Sequence, residues 1–240
     1  TEKKRVSTVV GIHAVQLALE ARAGICLTVR EGKLNARQQS LVELARNVGC
    51  RIEFGRVDRD ELASQGVSLE IKLPAVRSEK ELEAQLVGEF ASLLFLVLDG
   101  VTDPRNFGAC LRSAASFGVD GVIVAKDHSA PLNEAAIKTA SGAASLVKIY
   151  QVVNLARCLD TLKKHGVWVV GTVLEDSQPL TEIDLKGNIA LVIGAEESGI
   201  RQKTRERCDF LAAIPCPYPD LSLNVSVATG ICLYEINRQR

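Results

Sequence analysis

The sequence predicts an α/β chain built on a mostly parallel sheet, and three observations predict it. Apolar runs of five to seven residues recur from Leu93 onward without polar alternation, as strands buried on both faces require. Helical stretches separate these runs, and parallel strands need such crossovers. Two late phrases, IALVIGAEESGI (189–200) and IPCPYPDLSLNVSVATGICLYE (214–235), each pass from an apolar strand into a polar bend bearing Gly or Asn. Open α/β sheets hold their ligands at such carboxyl-end bends.

Taken in order, Gly11–Ala21 places Ile12, Val15 and Leu19 on one face and predicts a helix. A strand at Ile25–Val29, a helix at Ala36–Val48, a strand at Arg51–Phe54, a helix at Asp58–Gln65 and a strand at Val67–Leu73 complete an αβαβαβ unit. Beyond Pro74 the stretch Ala75–Glu89 is charged and poor in bulky apolar residues, which suits a connection with a helical portion. The chain thus divides into residues 1–75, a linker at 76–91, and a larger unit at 92–240. The larger unit predicts strands at Leu93–Leu98, Gly121–Ala125, Val167–Val173, Ile189–Ile193 and Phe210–Ile214, with helices between them. No internal repeat interrupts this order.

Composition bounds the function. The 240 residues allow roughly one to two domains, and 47% hydrophobic with 24% charged residues suits an ordinary globular protein. Net charge is zero, so the chain lacks the overall basic bias of many nucleic-acid binders. Residues 1–75 hold 12 Lys and Arg against 9 Asp and Glu, while residues 76–240 hold 17 against 20. A basic surface is therefore better placed in the first unit. The seven cysteines form no C-x-x-C pair and no zinc-ligand spacing, and read as buried free thiols of a reducing cytosol. The opening residues lack a signal-peptide core and no run of about 20 apolar residues exists, so a cytoplasmic protein is expected.

No G-x-G-x-x-G follows the first strand of the larger unit, which ends in Asp99-Gly100-Val101-Thr102-Asp103. This argues against a dinucleotide fold and for a pocket built late in the chain. In the helix after Pro104, Phe107, Cys110, Leu111, Ala114 and Phe117 form one apolar face, and Arg112 lies off it. By residue type alone Arg112 is a solvated cation. Gly194-Ala195-Glu196 reads as a turn glycine followed by carboxylates at a helix start. Ser222-Leu223-Asn224 precedes a last helix on which Val227, Ile231 and Tyr234 share a face, with Ser222 as the N-cap. His13, His128 and His165 form no triad or metal set and read as structural. Asp99 and Asp103 read as capping and turn residues and not as a metal pair.

Together with LDGVTDPRNFGACLRSAASFG (98–118), the two late phrases resemble the three motifs of SpoU-type RNA ribose 2′-O-methyltransferases, a branch of the SPOUT superfamily. The resemblance runs from about Ser92 to Arg240. It implies a parallel-sheet SPOUT domain with a C-terminal trefoil knot, S-adenosyl-L-methionine as cofactor, a homodimer, and no metal. Carried over residue by residue, it makes Asn106, Arg112, Glu196, Ser222 and Asn224 catalytic, and makes Gly194, Ile214 and Leu223 cofactor-binding. The first unit, including SQGVSLEI (64–71), resembles the small L30e-like RNA-binding domain of some members, which often carry His where Ser64 stands.

The resemblance to these enzymes implies methylation of a guanosine ribose in 23S ribosomal RNA. A transfer-RNA target, an antibiotic-resistance rRNA target, or an RNA-binding relative without turnover are the alternatives. A free guanidinium stays protonated, so Arg112 is either a base activated by its surroundings or a cationic clamp with Glu196 assisting. Many members carry a flexible Gly-containing loop where this chain reads PCPYPDLS (215–222). Its prolines stiffen the connection, and Tyr218 either covers or obstructs the cofactor.

Overall fold

The computed structural model describes residues 6–57, 64–88, 92–218 and 222–240. The first unit comprises β1 (Val6–Val10), α1 (Ile12–Glu20), β2 (Gly24–Arg30), α2 (Ala36–Asn47), β3 (Arg51–Gly55) and β4 (Val67–Lys72). Its four strands lie in the order β1-β4-β2-β3, with β4 antiparallel to β1 and β2, and β3 parallel to β2. Asn35 and Gln38 form a reciprocal capping box at the start of α2. The expected αβαβαβ order needs correction, because β1 precedes α1. Only Val9 of β1 is buried, so the strand carries no apolar alternation to announce it. The helix expected at Asp58–Gln65 falls, over 58–63, outside the described residues.

The segment expected as a linker joins the larger sheet. Val76–Arg77 form β5, paired in parallel with β8 (Ile149–Val152), and Glu79–Gln85 form α3 under a Ser78–Glu81 capping box. Leu82 and Leu86 are buried in a core with Phe95 and Leu159. The Tyr150 hydroxyl donates to Gln85 Oε1, and Arg157 pairs with Glu79 at 3.0 Å.

The remaining elements are β6 (Leu94–Asp99), α4 (Pro104–Ser116), β7 (Gly121–Ala125), α5 (Glu134–Ala140), α6 (Leu155–Lys164), β9 (Trp168–Thr172), β10 (Gln178–Pro179), β11 (Ile189–Gly194), α7 (Gln202–Arg205), β12 (Phe210–Ala213) and α8 (Val225–Gln239). The sheet runs β10-β12-β9-β11-β6-β7-β8-β5, with neighbouring strands parallel. Its all-apolar strands serve two cores. Leu94, Leu96 and Leu98 enter the core beneath α4, α5 and α8, whereas Phe95 and Val97 enter the core beneath α3 and α6. β11 divides likewise, with Leu191 and Ile193 on one side and Ala190 and Val192 on the other. Residues alternate across a strand, so both halves of each run must be apolar.

Five of the seven cysteines are buried and all seven are free thiols. Burial pushes Cys158 and Cys232 up to about 12 and Cys110 up to about 11, which keeps these thiols protonated and unreactive. The three histidines are exposed. Among the described residues no helix is long and apolar enough to cross a membrane.

The first unit packs on the larger one where α1 meets the turn at Gly142. Gly142 adopts φ +86°, and a Cβ there would lie 2.6 Å from the Ala14 carbonyl oxygen. Both the left-handed backbone and the close approach exclude a side chain. Gly142→Ala is expected to cost about 1–3 kcal/mol, measured as a lower thermal unfolding midpoint. An unchanged midpoint would mean that the two units do not meet there.

Candidate active site

A cleft of about 650 Å³ opens at the carboxyl ends of β9, β11 and β12. Three adjacent parallel strands stop here, and the chain leaves the hydrogen-bonded ladder beyond Thr172, Gly194 and Ala213. Its walls are the chain after β9, the bend after β11, the exit of β12, and the approach to α8. Ile193, Ile200, Ile214 and Leu223 give it apolar surface, while Thr172, Gln178, Glu196 and Ser222 supply polar groups.

The bend after β11 is a small closed loop. Gly199 N–H donates to the Ala195 carbonyl at 2.8 Å, and Ala195 N–H returns a bond at 3.1 Å. The returning chain passes directly over Gly194, where a Cβ would lie 2.2 Å from the Gly199 carbonyl carbon. Glu196 stands exposed in this loop and lines the cleft. No helix begins at Glu196, since α7 starts at Gln202, so the helix-start reading of these carboxylates is corrected.

The base of the loop is tied to the neighbouring strand. Asp99, paired across the ladder with Gly194, has a fully buried side chain. Its Oδ2 accepts from Arg201 N–H at 2.9 Å and its Oδ1 from Arg201 Nε–H at 2.6 Å. Asp99 is therefore an ion-pair partner and not a turn residue, which corrects that expectation. Asp103 does cap α4, accepting from the N–H groups of Arg105 and Asn106, with Pro104 in the first turn.

The cap on α8 also differs. Asn224, not Ser222, is the N-cap: its Oδ1 accepts from Ser226 N–H at 3.0 Å. Ser222 stays exposed on the cleft wall. The Asn224 amide reaches the start of α4, donating from Nδ2 to Asn106 Oδ1 at 3.1 Å. One hydrogen bond thus joins the first and third sequence phrases, across helices that also pack through Cys110 and Thr229.

Of the eight residues singled out in the sequence, Gly194, Glu196, Ile214, Ser222 and Leu223 line one cleft. Asn106 and Asn224 are bonded to each other at the start of α4 and α8. Arg112 is exposed on α4 and does not line the cleft. Tyr218 is 74% exposed and is not a lining residue either. Residues 219–221 of that loop fall outside the described residues. The sequence reading missed Leu174, Gln178 and Arg205 as lining residues. These follow β9 or sit on α7, in segments with no motif to mark them. It also missed the Asp99–Arg201 pair, whose one signal is a carboxylate ending an otherwise apolar strand. Among the described residues no cluster of His, Cys, Asp and Glu is arranged to hold a metal ion.

Comparison with known proteins places this geometry. Residues 93–234 match the SpoU rRNA Methylase family. The 23S rRNA (guanosine-2′-O-)-methyltransferase RlmB of Pseudomonas aeruginosa is 48% identical, over 97% of this chain and 96% of that protein. The RlmB of Coxiella burnetii is 44% identical over 98% and 97%. Among solved structures, the SpoU methyltransferase AviRb of Streptomyces viridochromogenes in complex with AdoMet superposes with a TM-score of 0.75 at 23% identity. That match covers 97% of this chain and 89% of AviRb, and it is a likeness of fold.

Gly194→Ala is expected to push the 199–200 segment off the sheet, at a cost of about 1–3 kcal/mol. The readout is faster proteolytic cleavage within residues 195–200; wild-type cleavage rates would show that the loop tolerates a methyl group.

Proposed function

The chain belongs to the SpoU rRNA methylase family, and from that premise we propose that it methylates the ribose 2′-hydroxyl of a guanosine in 23S ribosomal RNA, with S-adenosylmethionine as donor. One observation carries this reading: a relative named for that reaction matches nearly end to end at 48% identity.

The cleft suits the donor. Its volume of about 650 Å³ lies within the usual range of small-molecule sites, roughly 300–1,000 Å³. Ile214 and Leu223 offer apolar surface to a flat adenine, and the strand-end backbone offers donors and acceptors to its polar edge. S-adenosylmethionine supplies an electrophilic methyl group on a sulfonium. The residues of this chain hold and orient. Gly194, Ile214 and Leu223 bind the adenosyl part, and Ser222 with the Asn106–Asn224 pair shapes the side where the ribose enters. In-line transfer depends strongly on such positioning.

A ribose hydroxyl is a weak nucleophile near neutral pH, so its proton must leave or its developing charge must be stabilised. We assign that task to Arg112, as a base in an environment completed by RNA phosphate or as a cation with Glu196 assisting. Arg112 projects from α4 outside the cleft wall, so the ribose has to be brought between them. A homodimer packed near the active sites fits this requirement. Its support is the apolar stripe of Val227, Ile231 and Tyr234 on α8, which the core of this chain does not use. The position of β11 between β9 and β6, with α8 returning beneath it, supports the C-terminal knot. Residues 1–75 are read as the RNA-docking domain and 92–240 as the catalytic domain, with β5 and α3 of the 76–91 connection packed on the latter. Free thiols support a cytoplasmic setting.

Arg112→Ala is expected to abolish methyl transfer to 23S rRNA, measured with radiolabelled donor, while leaving donor affinity within a few fold. Normal turnover by the variant would remove Arg112 from both roles. Calorimetry is expected to show S-adenosylmethionine binding to the unaltered chain, because the Tyr218 ring stands outside the cleft. Binding that requires Tyr218→Gly would mean that the ring obstructs the site.

A further inference from the structure

Arg201 closes the loop that carries Glu196, and one carboxylate fixes both its backbone and its side chain. Asp99 takes the Arg201 N–H on one oxygen and the Nε–H on the other. The Asp99 side chain is fully buried, whereas that of Arg201 is 46% exposed. A buried carboxylate is costly to withdraw from water. A neutral acceptor would anchor the backbone N–H equally well, so anchoring the loop does not by itself account for a buried charge. What the charge adds is a guanidinium held in a set orientation.

That guanidinium is only partly used. Among the described residues its two terminal nitrogens have no protein acceptor, and Asp99 is its ion-pair partner although Glu196, Glu197 and Glu206 lie close in sequence. Engagement through Nε leaves the terminal fork free. A fork of this kind matches two oxygens of a phosphate, and holding it beforehand reduces the ordering needed on binding. Its chain neighbours Gly199 and Ile200 line the cleft. A nucleotide whose ribose enters that cleft carries phosphodiester groups on both sides of the sugar.

We propose that Arg201 is a phosphate-binding residue for the RNA strand beside the cleft, held in position by Asp99. The proposal rests on the RNA-methyltransferase reading above, and it adds a contact to the RNA backbone outside the donor pocket.

The test is equilibrium binding of the full chain to deproteinised 23S rRNA across a KCl series, with donor affinity measured in parallel by calorimetry. Arg201→Gln is expected to weaken RNA binding about three- to ten-fold. It should also lower the slope of log Kd against log salt by about 0.7–0.9, the value of one lost phosphate contact. Arg201→Lys should keep the slope, because the charge remains, while binding more weakly for want of the fork. Since Arg201→Gln leaves Asp99 buried without its partner, the double variant Asp99→Asn with Arg201→Gln is measured too and should show the same loss of slope. A merely structural role would not move this slope. An unchanged slope in both glutamine variants overturns the proposal. So does weakened donor binding at an unchanged slope, which would assign the fork to the carboxylate of the cofactor. Methyl transfer to 23S rRNA by the unaltered chain is scored separately: if it occurs and the slope does not change, the phosphate contact fails while the enzymatic reading stands. If neither RNA binding nor transfer occurs, both fail.

Discussion

The in-register pairing of β6 with β11 is the constraint from which the site follows. It sets Asp99 opposite Gly194 at the carboxyl end of the sheet. From there the buried carboxylate reaches the far end of the loop after β11, while Gly194 lets the returning backbone lie against the strand. A slip of one residue along β6 would turn Asp99 to the opposite face, and one along β11 would take Gly194 from beside it. The two cores make such a slip costly, since each of the five residues Ile189–Ile193 of β11 packs into one or the other.

Most of the architecture was legible because parallel strands buried on both faces announce themselves as unbroken apolar runs. β6, β7, β9, β11 and β12 all fall within a residue or so of their expected positions. What escaped was short or carried by pairing and not by pattern. β1 buries one residue, β5 and β10 span two residues each, and β8 has its polar Gln151 exposed. Strands of this kind exist because an edge is available, and a linear sequence does not display its edges.

The site divides along the same line. The family resemblance picked out five residues that line one cleft and two asparagines bonded nearby, each at or near a strand end or a helix start. It could not assign the cap of α8, where Ser222 and Asn224 are both good capping residues and only the helix phase selects between them. Nor could it show that Asp99 answers Arg201, a pair separated by 102 positions. Resemblance supplied roles for the motif residues; the fold supplies Asp99 with a partner that lies outside those roles.

The attachment of residues 76–88 to the larger sheet changes where the chain can be divided. β5 covers the open side of β8, and Leu82 and Leu86 roof the core over Phe95. Cutting at residue 92, where the first motif region begins, would strip that roof and leave a bare strand edge able to pair with other molecules. A soluble catalytic fragment therefore has to start near Pro74. Only Leu73–Ala75 then separate the two units along the chain, and the seat of α1 against Gly142 holds the first unit against the larger one like a bracket fixed at two points.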